Sequence, residues 1–173
     1  PEKYLSVQYS ISENLVRRLL AAYGEQAEQI MAHRPAPMQT IRPNRMKTSP
    51  EAFEKYLTSR DVRWEHATVR DAYNCSASGD LTRLDGYVHG YYSLMGESSM
   101  LAAYAVGAKP GMNILDACAA PGGKSALIAE SMMGTGRVYA WDVHEHRVEL
   151  IRAARRRLQL DNLRPAVRDA RKP

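Results

Sequence analysis

Apolar residues recur at helical spacing near the start of the chain, at positions 15, 16, 19, 20 and 23. This spacing predicts an amphipathic helix, and Ser12 before it and Gly24 after it are residues that helices prefer as caps. A second helical segment over 25–33 runs into Arg-Pro-Ala-Pro, where Pro35 and Pro37 prevent a helix from continuing. The two segments predict a small helical hairpin.

The residues that follow predict a small α+β module. Ser49-Pro50 supplies an N-cap and a proline at the first helical position, and apolar residues at 53, 56 and 57 give this helix a stripe to bury. Apolar stretches over 38–41 and 62–64 predict two short strands. The polar, glycine-containing segment 74–85 predicts a loop or the edge of a domain.

In the second half of the chain, strand and helix patterns alternate. A helix over 97–106 and a turn over 108–111 come first, and then strands over 112–116, 137–142 and 165–169 alternate with helices over 124–133 and 145–160. Such alternation with short connections is typical of a parallel α/β sheet, whose ligands lie beyond the carboxyl ends of the strands. We therefore expect residues 1–85 to hold the hairpin and the module, and residues 86–173 to form an α/β domain.

The composition is informative mainly because it excludes several classes of protein. The 173 residues are 45% hydrophobic and 25% charged, which is the balance of a soluble globular protein. No apolar run approaches the roughly 18 residues that span a bilayer, and the first residues lack the features of a signal peptide. We expect a cytoplasmic protein without a membrane partner. The two cysteines and five histidines show no ligand spacing, so we expect neither a disulfide framework nor a metal site.

The net charge of +5 is concentrated at one end of the sequence. Residues 145–173 contain nine Lys or Arg against four Asp or Glu, and the rest of the chain is neutral overall. A polyanion such as RNA would be attracted by this segment, but a solvated helix face explains it equally well.

The segment LDACAAPGGKSALIAE joins the end of a strand to the start of a helix through a turn of small residues. Gly123-Lys124-Ser125 matches the second half of a phosphate-binding P-loop, but Cys118 stands where that loop requires its first glycine. A Cβ there obstructs the backbone dihedrals of the loop. The dinucleotide fingerprint G-x-G-x-x-G is absent as well. The turn therefore favours a ligand without a triphosphate.

The second strand of this domain ends in Asp142, twenty positions after Gly122. In α/β nucleoside-binding proteins a carboxylate at about this spacing accepts hydrogen bonds from ribose hydroxyls. A carboxylate repels a phosphate and binds a diol, which favours an adenosine group such as that of S-adenosylmethionine. Alternatively, Asp142 only caps the helix that begins near Glu145.

At these residues the chain resembles a known family. ILDACAAPGGKS, residues 114–125, closely resembles the cofactor-binding motif of the Sun-type RNA cytosine-5 methyltransferases, which act on ribosomal or transfer RNA. Upstream, ISENLVRRLLAAYGEQAEQIM, RPAPMQTIRPNRMKTSPEAFEKYL and GYYSLMGESSMLAAYAVGAKPG resemble the family's RNA-binding module and the segment that joins it to the catalytic domain. The resemblance implies a Rossmann-like methyltransferase sheet, here with its first three strands, preceded by a small α+β RNA-binding module.

The resemblance also implies the site residues. S-adenosylmethionine would be lined by Cys118, Ala119, Ala120, Pro121, Gly122, Gly123 and Lys124. Asp142 would hold its ribose, Asp169 would lie by the adenine, and Arg147 matches a family arginine near the cofactor. For the RNA backbone we single out the cations of IRPNRMK, which are Arg42, Arg45 and Lys47, although a solvated loop explains them equally well.

Two departures from the family pattern shape the functional hypothesis. Met95-Gly96 stands where relatives usually have Gln-Asp, which puts any role of those polar groups in doubt here. The catalytic cysteines of the family lie in Pro-Cys and Thr-Cys motifs after its fourth and fifth strands, and neither motif is present in these residues. We therefore expect a fragment that supplies cofactor binding and part of the RNA platform, does not methylate alone, and self-associates through its incomplete sheet. The alternatives are a non-catalytic module that binds S-adenosylmethionine or RNA, and a P-loop nucleotide triphosphatase fragment.

Overall fold

The computed structural model describes residues 2–33, 38–77 and 79–172, and divides the chain into two compact units, residues 1–37 and 38–173. The prolines at which we ended the predicted hairpin, Pro35 and Pro37, lie outside the described residues. The domain boundary that we expected near residue 85 falls inside the second unit. Within the described part of the chain, no helix combines the length and the apolar character that a bilayer crossing requires.

The first unit is helical. It contains α1 (Glu2–Tyr9), α2 (Glu13–Tyr23) and α3 (Ala27–Ala32), with a 3-10 turn over Gly24–Gln26. Ser12 caps α2 as predicted, because its Oγ accepts a hydrogen bond from the backbone N–H of Leu15 at 3.3 Å. The sequence did not predict α1, in which only Leu5 is buried. A helix with so small a buried face leaves little periodicity to detect.

The second unit begins with a four-stranded antiparallel sheet in the order β2-β3-β1-β4. Its strands are β1 (Gln39–Pro43), β2 (Arg63–His66), β3 (Tyr73–Ser76) and β4 (Tyr92–Leu94), and its helices are α4 (Pro50–Ser59) and α5 (Asp85–Val88). The helix predicted after Ser49 and the strands predicted near residues 38–41 and 62–64 are therefore present. The loop predicted over 74–85 is wrong in its first part: Tyr73 and Cys75 alternate into the core, at 2% and 1% exposure, so the segment forms an inner strand.

A three-stranded parallel sheet in the order β5-β6-β7 follows. It consists of β5 (Asn113–Asp116), β6 (Arg137–Asp142) and β7 (Leu163–Val167), accompanied by α6 (Glu97–Tyr104), α7 (Gly123–Ser131) and α8 (Glu145–Leu158). The predicted alternation of strands and helices is confirmed, with the third strand beginning two residues earlier than predicted. Val138 and Ala140 of β6 are fully buried, as expected for a strand beneath packed helices.

Buried polar contacts join the two sheets of this unit. Arg42 of β1 forms a bidentate ion pair with Glu130 of α7, with N–O distances of 2.5 and 3.1 Å. Arg157 of α8 donates hydrogen bonds to the carbonyl of Tyr92 and the hydroxyl of Ser93, at 2.9 and 3.0 Å. The small sheet is thus attached to α7 and α8, the helices that follow β5 and β6.

Candidate cofactor site

The turn between β5 and α7 is held closed by the carboxylate at the end of β5. Asp116 Oδ1 accepts a hydrogen bond from the backbone N–H of Cys118 at 3.3 Å, and its Oδ2 accepts one from the hydroxyl of Ser125 at 2.6 Å. Ser125 is completely buried. Sequence reasoning missed both side chains as parts of the site, although the spacing of a carboxylate and a hydroxyl across the turn could have indicated them.

Small residues let this turn lie against its neighbours. The backbone N–H of Ala119 donates to the carbonyl of Trp141 on β6 at 2.8 Å, and that of Gly122 donates to the carbonyl of Ala119 at 2.7 Å. Gly122 has φ +101°, and a Cβ built on it would lie 3.2 Å from Cγ2 of Ile151 on α8. Glycine is therefore required at 122 by its backbone conformation and by the close approach of α8.

Asp142 lies at the carboxyl end of β6 and is almost completely buried, at 3% exposure. Its Oδ1 accepts a hydrogen bond from the backbone N–H of His144 at 3.2 Å, and its Oδ2 lies 3.5 Å from the guanidinium of Arg147. Burial by itself raises the pKa of Asp142, but backbone hydrogen bonds from His144 and Ala120 and the charge of Arg147 outweigh it and hold the pKa below the usual range. The carboxylate is ionised at neutral pH. It does not occupy the N-cap position of α8, which belongs to His144.

Arg147 connects the two parts of the site. Besides its contact with Asp142, it donates a hydrogen bond to the carbonyl of Ala120 at 3.3 Å. The side chain that was predicted to lie near the cofactor therefore links the small-residue turn to the end of the second strand. The structure brings together the predicted residues Cys118 to Lys124, Asp142 and Arg147 at one edge of the parallel sheet.

A cleft lies beside this turn, between β5, α7 and the segment that joins β4 to α6. Its walls are formed by Leu94, Met95, Gly96, Ser99, Asp116, Cys118, Ala119, Ala120, Pro121, Gly123 and Lys124. A Cβ built on Gly96 would meet no atom within 4 Å, and one built on Gly123 would meet only the sulfur of Met95, at 4.0 Å. Both glycines therefore face open space. Met95 and Ser99 are further lining residues that sequence reasoning did not assign.

This cleft fits S-adenosylmethionine by its chemistry. The first turn of α7 has backbone N–H groups without acceptors inside the helix, and the exposed Lys124 lies in the same turn. Both suit the carboxylate of an amino-acid group. The ionised Asp142 suits a ribose diol, but it does not line this cleft; it lies at the end of β6 next to the turn, to which Arg147 connects it. The small uncharged residues of the turn admit a ligand close to the backbone.

Asp169 lies two residues beyond β7, next to the same edge. Its carboxylate is bound by Arg171 through Nε at 2.9 Å, a terminal nitrogen at 2.8 Å and the backbone N–H at 3.0 Å. Hydrogen bonds from the side chain and the backbone of Arg171 lower the pKa of Asp169 to about 2. Any contact with adenine would have to share this carboxylate with Arg171.

The three cations predicted to bind RNA lie in different environments. Arg42 was the wrong choice, because its guanidinium is 1% exposed and is bound by Glu130. Lys47 donates to the carbonyl of His89 at 2.7 Å, and burial together with the charge of Arg157 lowers its pKa. Arg45 is 43% exposed beside Asp71, at 3.4 Å, and stays a candidate.

The sheet, the turn and the paired carboxylate and arginine define a Rossmann-like, S-adenosylmethionine-dependent methyltransferase domain. Residues 103–173 match the family described as 16S rRNA methyltransferase RsmB/F. The predicted family and fold class are confirmed, and the alternative of a P-loop nucleotide triphosphatase is wrong.

Relatives extend the similarity to nearly the whole chain. A probable ribosomal RNA small subunit methyltransferase B of Bacillus subtilis (strain 168) is 37% identical over 174 residues, which cover 99% of this chain and 39% of that protein. A 28S rRNA (cytosine-C(5))-methyltransferase of Mus musculus is 31% identical, covering 93% of this chain and 21% of that protein. A methyltransferase homolog protein from Pyrococcus horikoshii, of known structure, superposes with a TM-score of 0.79 at 25% identity and covers 96% of this chain and 55% of that one. The chain thus spans about two fifths or less of these two sequence relatives.

Proposed function

We propose that the protein carrying this chain transfers a methyl group from S-adenosylmethionine to carbon 5 of a cytosine in ribosomal RNA. The observation that carries this proposal is the link between the small-residue turn and the ionised Asp142 through Arg147. The names of the relatives, which are ribosomal RNA methyltransferases, support the choice of substrate.

In this proposal the chain's residues bind and orient the methyl donor, whose sulfonium supplies an electrophilic methyl group. The Asp142 carboxylate accepts hydrogen bonds from the ribose hydroxyls, using lone pairs that His144 and Arg147 leave free. The first turn of α7 and Lys124 hold the amino-acid carboxylate. Cys118 to Gly123 line the donor through their backbone, and Asp169 lies on the side of the adenine.

We do not propose either cysteine of this chain as the nucleophile that attacks the cytosine. Cys75 is buried in the small sheet, and burial raises the pKa of its thiol to about 12. Cys118 is exposed, but it lies in the cofactor turn, where it would line the donor. In the family that the chain resembles, the nucleophile belongs to the Pro-Cys and Thr-Cys motifs, which these residues do not contain.

Calorimetric titration tests the cofactor assignment. We expect S-adenosylmethionine to bind and magnesium ATP not to bind. Asp142→Asn keeps the size of the side chain but removes its charge, and should weaken binding about tenfold or more, as expected for the loss of charge-assisted hydrogen bonds. The matched control is Asp161→Asn, because Asp161 is fully exposed and far from the cleft. Binding of ATP alone, or equal affinity of the Asp142 and Asp161 variants, would overturn the assignment.

Bisulfite sequencing tests the substrate. Deleting the gene should convert a 5-methylcytosine of ribosomal RNA into an unmodified cytosine, and restoring the gene should restore the mark. Transfer RNA is the second candidate substrate, and a mark lost there alone would redirect the assignment to it. If every 5-methylcytosine of both RNAs survives the deletion, the proposed reaction is refuted. In a cell that assembles its ribosomes in the cytoplasm, this substrate places the protein there.

We further propose that the parallel sheet pairs with a second copy of the chain. Among the described residues β5 has a partner strand on one side only. Met112, just before this strand, and Leu115 within it are 41% and 51% exposed. Unpaired strand edges with apolar side chains promote association. Light scattering of residues 1–173 over a concentration series should show a mass that rises above that of the monomer. A constant monomer mass would contradict the proposal.

A further inference from the structure

The carboxyl ends of β5, β6 and β7 form one edge of the parallel sheet, which we call the cofactor edge because the turn after β5 and Asp142 lie there. Three helices run from this edge to the opposite one. The helix α6 begins beside the cleft residues Met95 and Ser99, α7 begins in the cofactor turn, and α8 begins three residues after Asp142. The carboxyl ends of these helices and the amino ends of the strands therefore share the far edge. With about 1.5 Å per residue, the 14 residues of α8 place the two edges about 21 Å apart.

Contacts between connecting segments confirm that this far edge is one continuous structure. A Cβ on Gly134 would lie 3.2 Å from the methyl group of Met46, so the loop after β1 touches the loop between α7 and β6. The amide of Asn44 donates to the carbonyl of Leu158 at the end of α8, at 3.4 Å. The amide of Asn162 donates to the carbonyl of Thr135 at 3.3 Å. Three separate connecting segments therefore meet here.

Six of the fourteen exposed Lys and Arg residues that the structure describes in the second unit lie along this edge, together with the half-buried Arg155. We call it the basic edge, defined by Arg45, Arg70, Lys109, Arg137, Arg155, Arg156 and Arg164. Two carboxylates lie among these seven cations: Asp71 is 3.4 Å from Arg45 and 3.7 Å from Arg70, and Asp161 is 3.8 Å from Arg155. The cofactor edge has a larger share of carboxylates, since Asp116, Asp142 and Asp169 lie there among five cations, which are Lys124, Arg147, Arg168, Arg171 and Lys172.

Compensation of helix dipoles does not explain the basic edge. Arg155 and Arg156 lie in the last turn of α8, where cations are favourable. The other five cations lie in loops or at the starts of strands. Arg70 in particular is 82% exposed, and its guanidinium lies over the ring of Tyr104 at 5.5 Å, beside a cleft that Arg45 also lines.

We propose that the basic edge is a second RNA-binding surface, which holds the phosphate backbone of the substrate RNA about 21 Å from the cofactor edge. The proposal rests on the proposed function, because it takes RNA as the substrate. Spaced arginines facing solvent suit a chain of phosphates, and Arg70 on Tyr104 offers a flat face to a base. Contacts of this kind supply affinity and register without reading sequence. The RNA would therefore have to pass around the side of the domain to reach both edges.

The experiment compares two triple variants of the intact protein that change the same charge. Arg70→Gln, Arg137→Gln and Arg156→Gln remove three exposed cations of the basic edge. The control set, Arg18→Gln, Arg63→Gln and Arg83→Gln, removes three exposed arginines elsewhere. Binding of a small-subunit ribosomal RNA transcript is measured between 50 and 200 mM salt.

For the basic-edge variant we expect the slope of log K against log salt to fall in magnitude by about 2 to 3, since each phosphate contact contributes about 0.7 to 0.9. The KM for RNA should rise while kcat and the affinity for S-adenosylmethionine stay unchanged. In hydroxyl-radical footprinting the wild type should protect two separated RNA segments, and the variant should lose one of them.

The outcomes separate this proposal from the proposed function. If the wild type does not bind RNA, both are refuted. If the wild type binds and methylates RNA but the basic-edge variant matches the control variant in slope, KM and footprint, only the second surface is refuted. Competition by polyglutamate as strong as that by RNA of equal charge would assign the edge to an acidic protein instead and overturn the proposal.

Discussion

The buried ion pair between β1 of the small sheet and α7 gives the sharpest test of how this unit is held together. Arg42 and Glu130 are 1% and 2% exposed and are joined by two hydrogen bonds. With so little exposure, water cannot replace a missing partner. Glu130→Leu would leave a guanidinium buried without a counter-charge, which typically costs about 3–5 kcal/mol. Domains of this size are stable by about 5–15 kcal/mol, so the variant loses about a fifth or more of its free energy of unfolding.

Urea denaturation measures this loss. With an m-value of about 2 kcal/mol per molar urea, the expected shift of the unfolding midpoint is about 2 M. The double variant Arg42→Met with Glu130→Leu replaces the pair by apolar side chains of similar size and should recover much of the loss. Arg60→Ala is the control, because the Arg60–Asp85 pair is about half exposed and should contribute less than about 1 kcal/mol. A cost below about 1 kcal/mol for Glu130→Leu, or no recovery in the double variant, would refute the reasoning.

Two further predictions concern the cofactor turn and the thiols. Gly122→Ala should destabilise the protein by about 1–3 kcal/mol, because alanine is strained at φ +101° and its Cβ meets Ile151; thermal unfolding should show no comparable loss for Gly79→Ala, whose Cβ would meet no atom within 4 Å. In the folded protein at pH 8 a thiol reagent should label Cys118 and spare Cys75, since burial raises the pKa of the Cys75 thiol to about 12. Mass mapping that finds Cys75 labelled as fast as Cys118 would contradict the second expectation.

The second half of the fold could be predicted because its signals are local. Strands buried on the sheet appear as short apolar runs, and the turn after β5 carries its own small-residue signature. The place of Asp142 at the end of the second strand of the parallel sheet could be predicted from its spacing from Gly122 alone. The hydrogen bonds inside the turn could not be predicted in this way, since the bond between Asp116 and Ser125 depends on the path of the backbone between them.

The first half was harder to predict because its decisive contacts are distant. Arg42 lies among cations in a segment that looks like a basic loop, and its partner Glu130 is 88 positions away. Similarly, Asn74 and Ser76 give β3 a polar face that resembles a loop, while the alternation of Tyr73 and Cys75 is too short to stand out. A single sequence does not reveal which charge will be buried when its partner lies so far away along the chain.

The attachment of the small sheet has a consequence for how this protein could be re-engineered. Arg42 from β1 depends on α7, and Arg157 from α8 depends on two residues of β4. Grafting the small sheet alone onto a related domain would leave Arg42 without Glu130, and would leave Arg157 without its acceptors in β4. A working chimera would have to transplant both helices together with the sheet, so that the exchangeable module of this architecture is larger than its antiparallel sheet suggests.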